Sequence, residues 1–169
     1  MHIYPSPTRH GWWTAKINWS RELTFSGRQV GFILRAVPNE RGVYCIYAKC
    51  CTWSYQVKGV SRGRRSAVVY IGSGKLGDRL RSHLVEKRNP DLTKLLSEHD
   101  LAYRYERIFD KNPDADWPRQ VEATFLRDFE DEFGELPPAN HKREVFKPVE
   151  GLKRFYYEET GTFSILQRR

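Results

Sequence analysis

Apolar residues recur at every second position in some stretches of this chain and at every third or fourth in others, which separates predicted strands from predicted helices. Residues 42–49 (Gly-Val-Tyr-Cys-Ile-Tyr-Ala-Lys) and 66–72 (Ser-Ala-Val-Val-Tyr-Ile-Gly) are β-branched and aromatic, and predict two strands. Between them, Cys50 to Arg65 is too long for a tight turn, and predicts a basic loop or an elongated hairpin with a basic tip. Residues 75–88 predict a helix with an apolar stripe of Leu76, Leu80 and Leu84. Beside that stripe Lys75, Arg79, His83 and Lys87 recur at the same spacing. A short helix over 91–98 follows Asn89-Pro90, and alternation over 101–108 predicts a third strand. Asp114-Ala115-Asp116-Trp117-Pro118 opens another helix, which runs to about Phe133 and stops at Gly134. Residues 136–141 predict a loop and 152–166 a hairpin.

This pattern divides the chain into an N-terminal extension (1–36), a core domain (37–150) and a C-terminal hairpin or tail (151–169). The extension carries Trp12, Trp13, Trp19 and Phe32-Ile33-Leu34, too much apolar surface to leave in water, so it is expected to pack on the core.

Composition narrows the choice of partner. The 169 residues are 39% hydrophobic and 14% aromatic, those of a folded domain, with a net charge of +8. The excess is local: residues 41–90 hold eleven Lys/Arg against Asp78 and Glu86, a net +9, and the remainder is slightly acidic. A basic segment of this kind favours a polyanionic partner. Lys58, Arg62, Arg64 and Arg65 in the long insert, with Lys75, Arg81 and Lys87 around the helix, are the candidate nucleic-acid contacts. Three cysteines, Cys45, Cys50 and Cys51, do not make a disulfide framework and indicate a reducing compartment. There is no long apolar run and no signal-peptide pattern, so no membrane association is expected and the cytoplasm is the expected location.

Individual residues then carry candidate chemistry. Glu122 falls among Phe125, Leu126, Phe129 and Phe133 on the apolar face of the 118–133 helix. A carboxylate there is costly unless it is paired with a cation, such as an arginine of the 75–88 helix, or bound to a metal. Arg79 has the planar fork that suits a phosphate, but a solvated helix face is the default for an arginine. His83, one turn on, is either an ordinary polar histidine or a group that donates to phosphate or moves a proton. Tyr44 and Tyr70 are either strand aromatics in a core or phenols that need a cationic neighbourhood to act as bases.

In order, Gly42-Val43-Tyr44, Tyr70-Ile71-Gly72, Arg79 and His83 on a helix, Glu122 on a later helix and Asn140 in a proline-bearing loop resemble the GIY-YIG nucleases. The resemblance covers about residues 37–140, and Ser73-Gly74-Lys75 stands where the family has a short glycine- or lysine-rich turn. It implies an α+β fold, a small, mainly antiparallel sheet of about three central strands flanked by helices, and hydrolysis of a nucleic-acid phosphodiester with one divalent metal, Mg²⁺, which Mn²⁺ could replace. Glu122 would hold the metal and Arg79 would stabilise the transition state. Tyr44, in preference to Tyr70, would deprotonate the attacking water, His83 would assist the proton path or bind phosphate, and Asn140 would brace the site. The long insert resembles the restriction-enzyme branch, with double-stranded DNA as partner and a homodimer as the natural way for a one-site enzyme to cut both strands. The alternative is a nucleic-acid-binding module on the same fold, non-catalytic or dependent on a partner, as in a repair or recombination subunit.

Overall fold

The computed structural model describes residues 20, 23–25, 30–49, 51–56, 64–108 and 116–142. In chain order these form β1 (Leu23–Phe25), α1 (Val30–Ala36), β2 (Arg41–Ala48), β3 (Trp53–Tyr55) and β4 (Arg64–Ser66). They continue as β5 (Val68–Lys75), α2 (Leu76–Leu84), α3 (Pro90–Glu98), β6 (Leu101–Arg107) and α4 (Trp117–Phe133). The expected hairpin over 152–166, insert residues Lys58 and Arg62, and Trp12, Trp13 and Trp19 lie outside the described residues.

The two tyrosine-bearing segments form the longest strands and pair antiparallel in an α+β fold, with the order β1-β6-β2-β5 among the described strands. Every described pairing in this sheet is antiparallel. The sheet has four strands rather than three, because the N-terminal extension adds β1 alongside β6, with Leu23 opposite Tyr103. Three residues are too few to display a period of two, so the sequence pattern left this strand unmarked. The segment between β2 and β5 is an elongated hairpin in which β3 and β4 pair from Trp53↔Ser66 to Tyr55↔Arg64. Tyr55 of this ribbon rests on Phe129 and Phe133 of α4, at centroid distances of 5.5 and 5.1 Å.

Period-two alternation sorts the central strands into two buried faces. Tyr44 lies opposite Gly72 and Tyr105, and Ile46 lies opposite Tyr70 and Tyr103. This face packs against Ile33 of α1, Leu76 and Leu80 of α2, and Leu92 of α3. Val43, Cys45 and Ile71, of opposite parity, pack against Val121, Phe125, Leu126 and Phe129 of α4. Helices therefore cover both faces of the sheet.

Two helix boundaries bear on the site. α2 ends at Leu84 instead of continuing to residue 88, and Lys87 lies beyond it with a left-handed φ of 52°. Lys75 closes β5 rather than opening the helix, so the expected four-residue cationic stripe shrinks to Arg79 and His83. α4 keeps its predicted limits: Pro118 sits in the first turn and Gly134 ends the helix at φ 82°. Asp116, which precedes α4, does not cap it through its side chain but pairs with Arg41 of β2 and with Arg119. No described helix is long and apolar enough to cross a membrane.

Candidate active site

β5 is the edge strand on its side of the sheet, and the candidate residues gather where its two faces meet. Gly72 makes the meeting possible. A Cβ there would lie 2.5 Å from the Tyr44 hydroxyl and 2.7 Å from Cε1 of Tyr70, closer than any side chain tolerates. With only hydrogen at this position, the two phenols settle directly over the strand.

Tyr44 has no exposed surface, and its hydroxyl lies 2.7 Å from His83 Nε2. Tyr70 is 8% exposed, and its ring lies beside that of Tyr44 with centroids 5.9 Å apart. The Tyr70 ring meets His83 edge-on with centroids 4.9 Å apart, and the Tyr103 ring stacks on Tyr44 from the other side at 5.2 Å. α2 supplies the cation. Arg79 is exposed, its stem passes over Gly74, and its charge acts on both phenols.

Glu122 comes from the opposite layer. It is 5% exposed on the inner face of α4 and accepts a hydrogen bond of 2.5 Å from the Ser73 hydroxyl. Its carboxylate charge is felt by Tyr70, Arg79 and Tyr44 alike, which places it at the same corner. It is therefore one member of a mixed polar cluster assembled from both faces of β5.

Burial dominates the electrostatics. It pushes the Tyr44 and Tyr70 phenols above their ordinary range; Tyr70 adds to the rise at Tyr44, Glu122 adds to it at Tyr70, and Arg79 opposes both. The phenols in turn, Tyr44 most, favour the charged form of Arg79. Burial and then the charge of Arg79 lower His83 to about 4, so its imidazole is neutral at pH 7. Its Nδ1 is buried without a hydrogen-bond partner among the described residues.

Asn140 has a different task. Its Oδ1 accepts from the Ile71 N–H at 2.9 Å and its Nδ2 donates to the Ile71 carbonyl at 2.8 Å. The neighbouring Ala139 N–H bonds the Val69 carbonyl at 2.9 Å. Together they act as a short stand-in for a further strand, holding the outer edge of β5 directly before Gly72. Asn140 thus braces the site through the backbone.

The expected nucleic-acid contacts are more dispersed. Arg64 of β4 bonds the Glu132 carbonyl at 3.1 Å and its carboxylate at 3.4 Å, and Arg65 donates to Ser54 at 3.3 Å. Lys75, Arg81 and Lys87 are exposed around α2. The member of the polar cluster that pattern reading passed over is Ser73, which bonds Glu122. Its parity, opposite to that of Gly72, was a usable signal, but which helix covers that face is settled by tertiary packing.

The donor set can be tested against a metal. Among the described residues no three His, Cys, Asp or Glu side chains gather as a cation site. A closed zinc site needs more ligands than that. A hard cation such as Mg²⁺ keeps several waters and takes one or two carboxylates, with substrate phosphate oxygens completing its shell. One buried carboxylate near a guanidinium fits that second pattern.

No family model matches the chain, and neither a curated protein nor a solved structure matches it.

The low pKa of His83 has a measurable consequence. Its folded value of about 4 lies below the unfolded value near 6.5, so the unfolded chain binds this proton first as pH falls. The stability that neutral His83 confers is complete above about pH 6.5 and is lost between there and pH 4, by on the order of 3 kcal/mol. Chemical denaturation at a series of pH values should show this slope, and His83→Gln should flatten it.

Proposed function

We propose that this chain is a divalent-metal-dependent endonuclease of the GIY-YIG type that hydrolyses DNA phosphodiesters. The observation that carries the reading is the convergence of Tyr44, Tyr70, Arg79 and His83 from one face of β5 with Glu122 from the other. These five residues are scattered over 79 positions of sequence, from 44 to 122, and share no local reason to meet. A purely structural cluster would not need an arginine fork, two coupled phenols and a neutral imidazole around one buried carboxylate.

Glu122 would hold Mg²⁺ or Mn²⁺, which supplies charge neutralisation at the scissile phosphate and its leaving oxygen. The guanidinium of the exposed Arg79 binds the phosphate and takes up the charge that grows on its equatorial oxygens. The chain of neighbours Tyr70, Tyr44 and His83 handles the proton of the attacking water. Tyr44 is its central member and the base: as the phenolate, which the charge of Arg79 favours, it takes the proton of the attacking water, and the neutral imidazole donates to it from Nε2. Tyr70 guards the open end of this chain, and Asn140 keeps the strand beneath it in place.

Tyr44→Phe should therefore cost more cleavage than Tyr70→Phe. The first removes the link in the middle, while the second leaves Tyr44 and His83 in contact. Both keep the aromatic packing, so single-turnover rates report the hydroxyl alone. A larger loss in Tyr70→Phe would move the base assignment to Tyr70.

The reading is tested by incubating the protein with plasmid, linear duplex, flap, single strand and RNA in Mg²⁺ and in EDTA, and sequencing the ends. Metal-dependent cuts in DNA are the expected result. DNA binding without cleavage in any divalent metal would overturn it in favour of a binding module, and cleavage only with an added protein would assign a partner-dependent subunit.

A further inference from the structure

We propose that Ser73 is a positioning residue for Glu122, fixing the carboxylate in the orientation in which it receives the divalent cation; this rests on the metal-holding role given to Glu122 above. Ser73 occupies β5 opposite Val43, on the face that packs against α4, and is 6% exposed. Val43, Cys45 and Ile71 of the same face are apolar core. A serine in this company buries a hydroxyl at a cost unless the hydroxyl is bonded. Its bond goes to Glu122 Oε2 at 2.5 Å, the short distance of an O–H donor on an ionised carboxylate.

The geometry gives this bond a purpose beyond satisfying two polar groups. Ser73 stands on a strand held on one side by β2 and, two residues earlier, by Asn140 on the other. Glu122 stands on a helix of another layer and has three side-chain torsions of its own. The serine hydroxyl ties the end of this long side chain to the rigid strand whose next residue back, Gly72, carries the two phenols. One carboxylate oxygen is committed to Ser73 and the orientation of the other follows. Groups that orient a metal ligand in this way typically change metal affinity by about 10- to 100-fold when they are lost.

The experiment compares the wild-type chain with S73A, S73T, S73C and E122Q. Mn²⁺ is titrated into each protein with a non-hydrolysable duplex, followed by water-proton relaxation, and the Mg²⁺ concentration for half-maximal cleavage is measured alongside. S73A is expected to bind Mn²⁺ about 10- to 100-fold more weakly and to recover most of its kcat at saturating Mg²⁺. S73T, which keeps the hydroxyl on a strand-favouring residue, should stay within a few-fold of wild type. S73C matches the serine in shape but is a weak donor; it should follow S73A, and it supplies the measurement if S73A does not fold. Wild-type Mn²⁺ affinity in folded S73A or S73C, with E122Q impaired, would overturn the role of Ser73 alone. Equal Mn²⁺ affinity in wild type and E122Q would instead overturn Glu122 as the metal-holding residue, and the positioning role with it. A merely structural serine would lower the unfolding temperature of S73A and leave its Mn²⁺ affinity unchanged.

Discussion

Glu122→Gln is expected to reduce metal-dependent DNA cleavage below detection while the protein still folds and still binds DNA. Glutamine has nearly the size of glutamate, and its amide oxygen can accept the Ser73 hydroxyl that now bonds Oε2. The inner face of α4, with Val121 and Phe125 on either side in sequence, keeps its packing. What changes is charge. The negative group beside Arg79 and Tyr70 disappears, and with it the attraction for a cation at that corner. DNA binding should survive, because the basic segment around residues 41–90 is untouched. Circular dichroism, thermal unfolding and a filter-binding isotherm separate these effects from cleavage. Cleavage at the wild-type rate by folded Glu122→Gln would remove Glu122 from the reaction.

Arg79→Ala is expected to lower the single-turnover rate by at least about 10², the scale of losing one transition-state donor. Its long side chain is exposed and lies over Gly74 rather than in the core, so the fold should tolerate the change. Arg79→Lys should recover only part of the rate, since a point charge cannot bridge two oxygens as a planar fork does. A second readout belongs to this residue alone. The charge of Arg79 helps hold His83 at about 4 and opposes the rise in both phenols. In Arg79→Ala the His83 pKa should therefore move up, although burial keeps it below the ordinary histidine value, and NMR titration of the imidazole measures this directly. Near-normal cleavage in Arg79→Ala would mean that this side of α2 is only a solvated basic surface.

How far the sequence could be read depended on the range of the interaction that decides each feature. The strands carrying Tyr44 and Tyr70, the helix of Leu76 and Leu80 and the Pro118-to-Gly134 helix follow from local period and end signals. Glu122 stood out because its neighbours at helical spacing are apolar, a local contradiction that marks a residue held for another reason. By contrast β1 has only three residues, and it is a strand because β6 offers it an edge. The cationic stripe of Lys75, Arg79, His83 and Lys87 was drawn on an ideal helix. The real one starts after Lys75 and stops before Lys87, and it turns His83 inward against Tyr44. Hydropathy alone could not distinguish an inward histidine from an outward one, because the partner that receives it lies 39 residues away.

By itself, then, the sequence determined the strands of Tyr44, Tyr70 and Tyr103 and the helices of Leu80, Leu92 and Glu122, where the positive charge is concentrated, and which residue types are available for phosphate chemistry. These are properties of neighbouring residues and of summed charge, and no partner is needed to express them. Only the tertiary structure decided that Asn140 grips the backbone of Ile71, that Ser73 holds Glu122, and that Gly72 lies under two phenols. Each of these depends on strand register and on which helix covers which face of β5. A shift of one residue would turn Tyr44, Tyr70 and Ser73 to the wrong sides, and long-range packing of the apolar faces selects the register that is found.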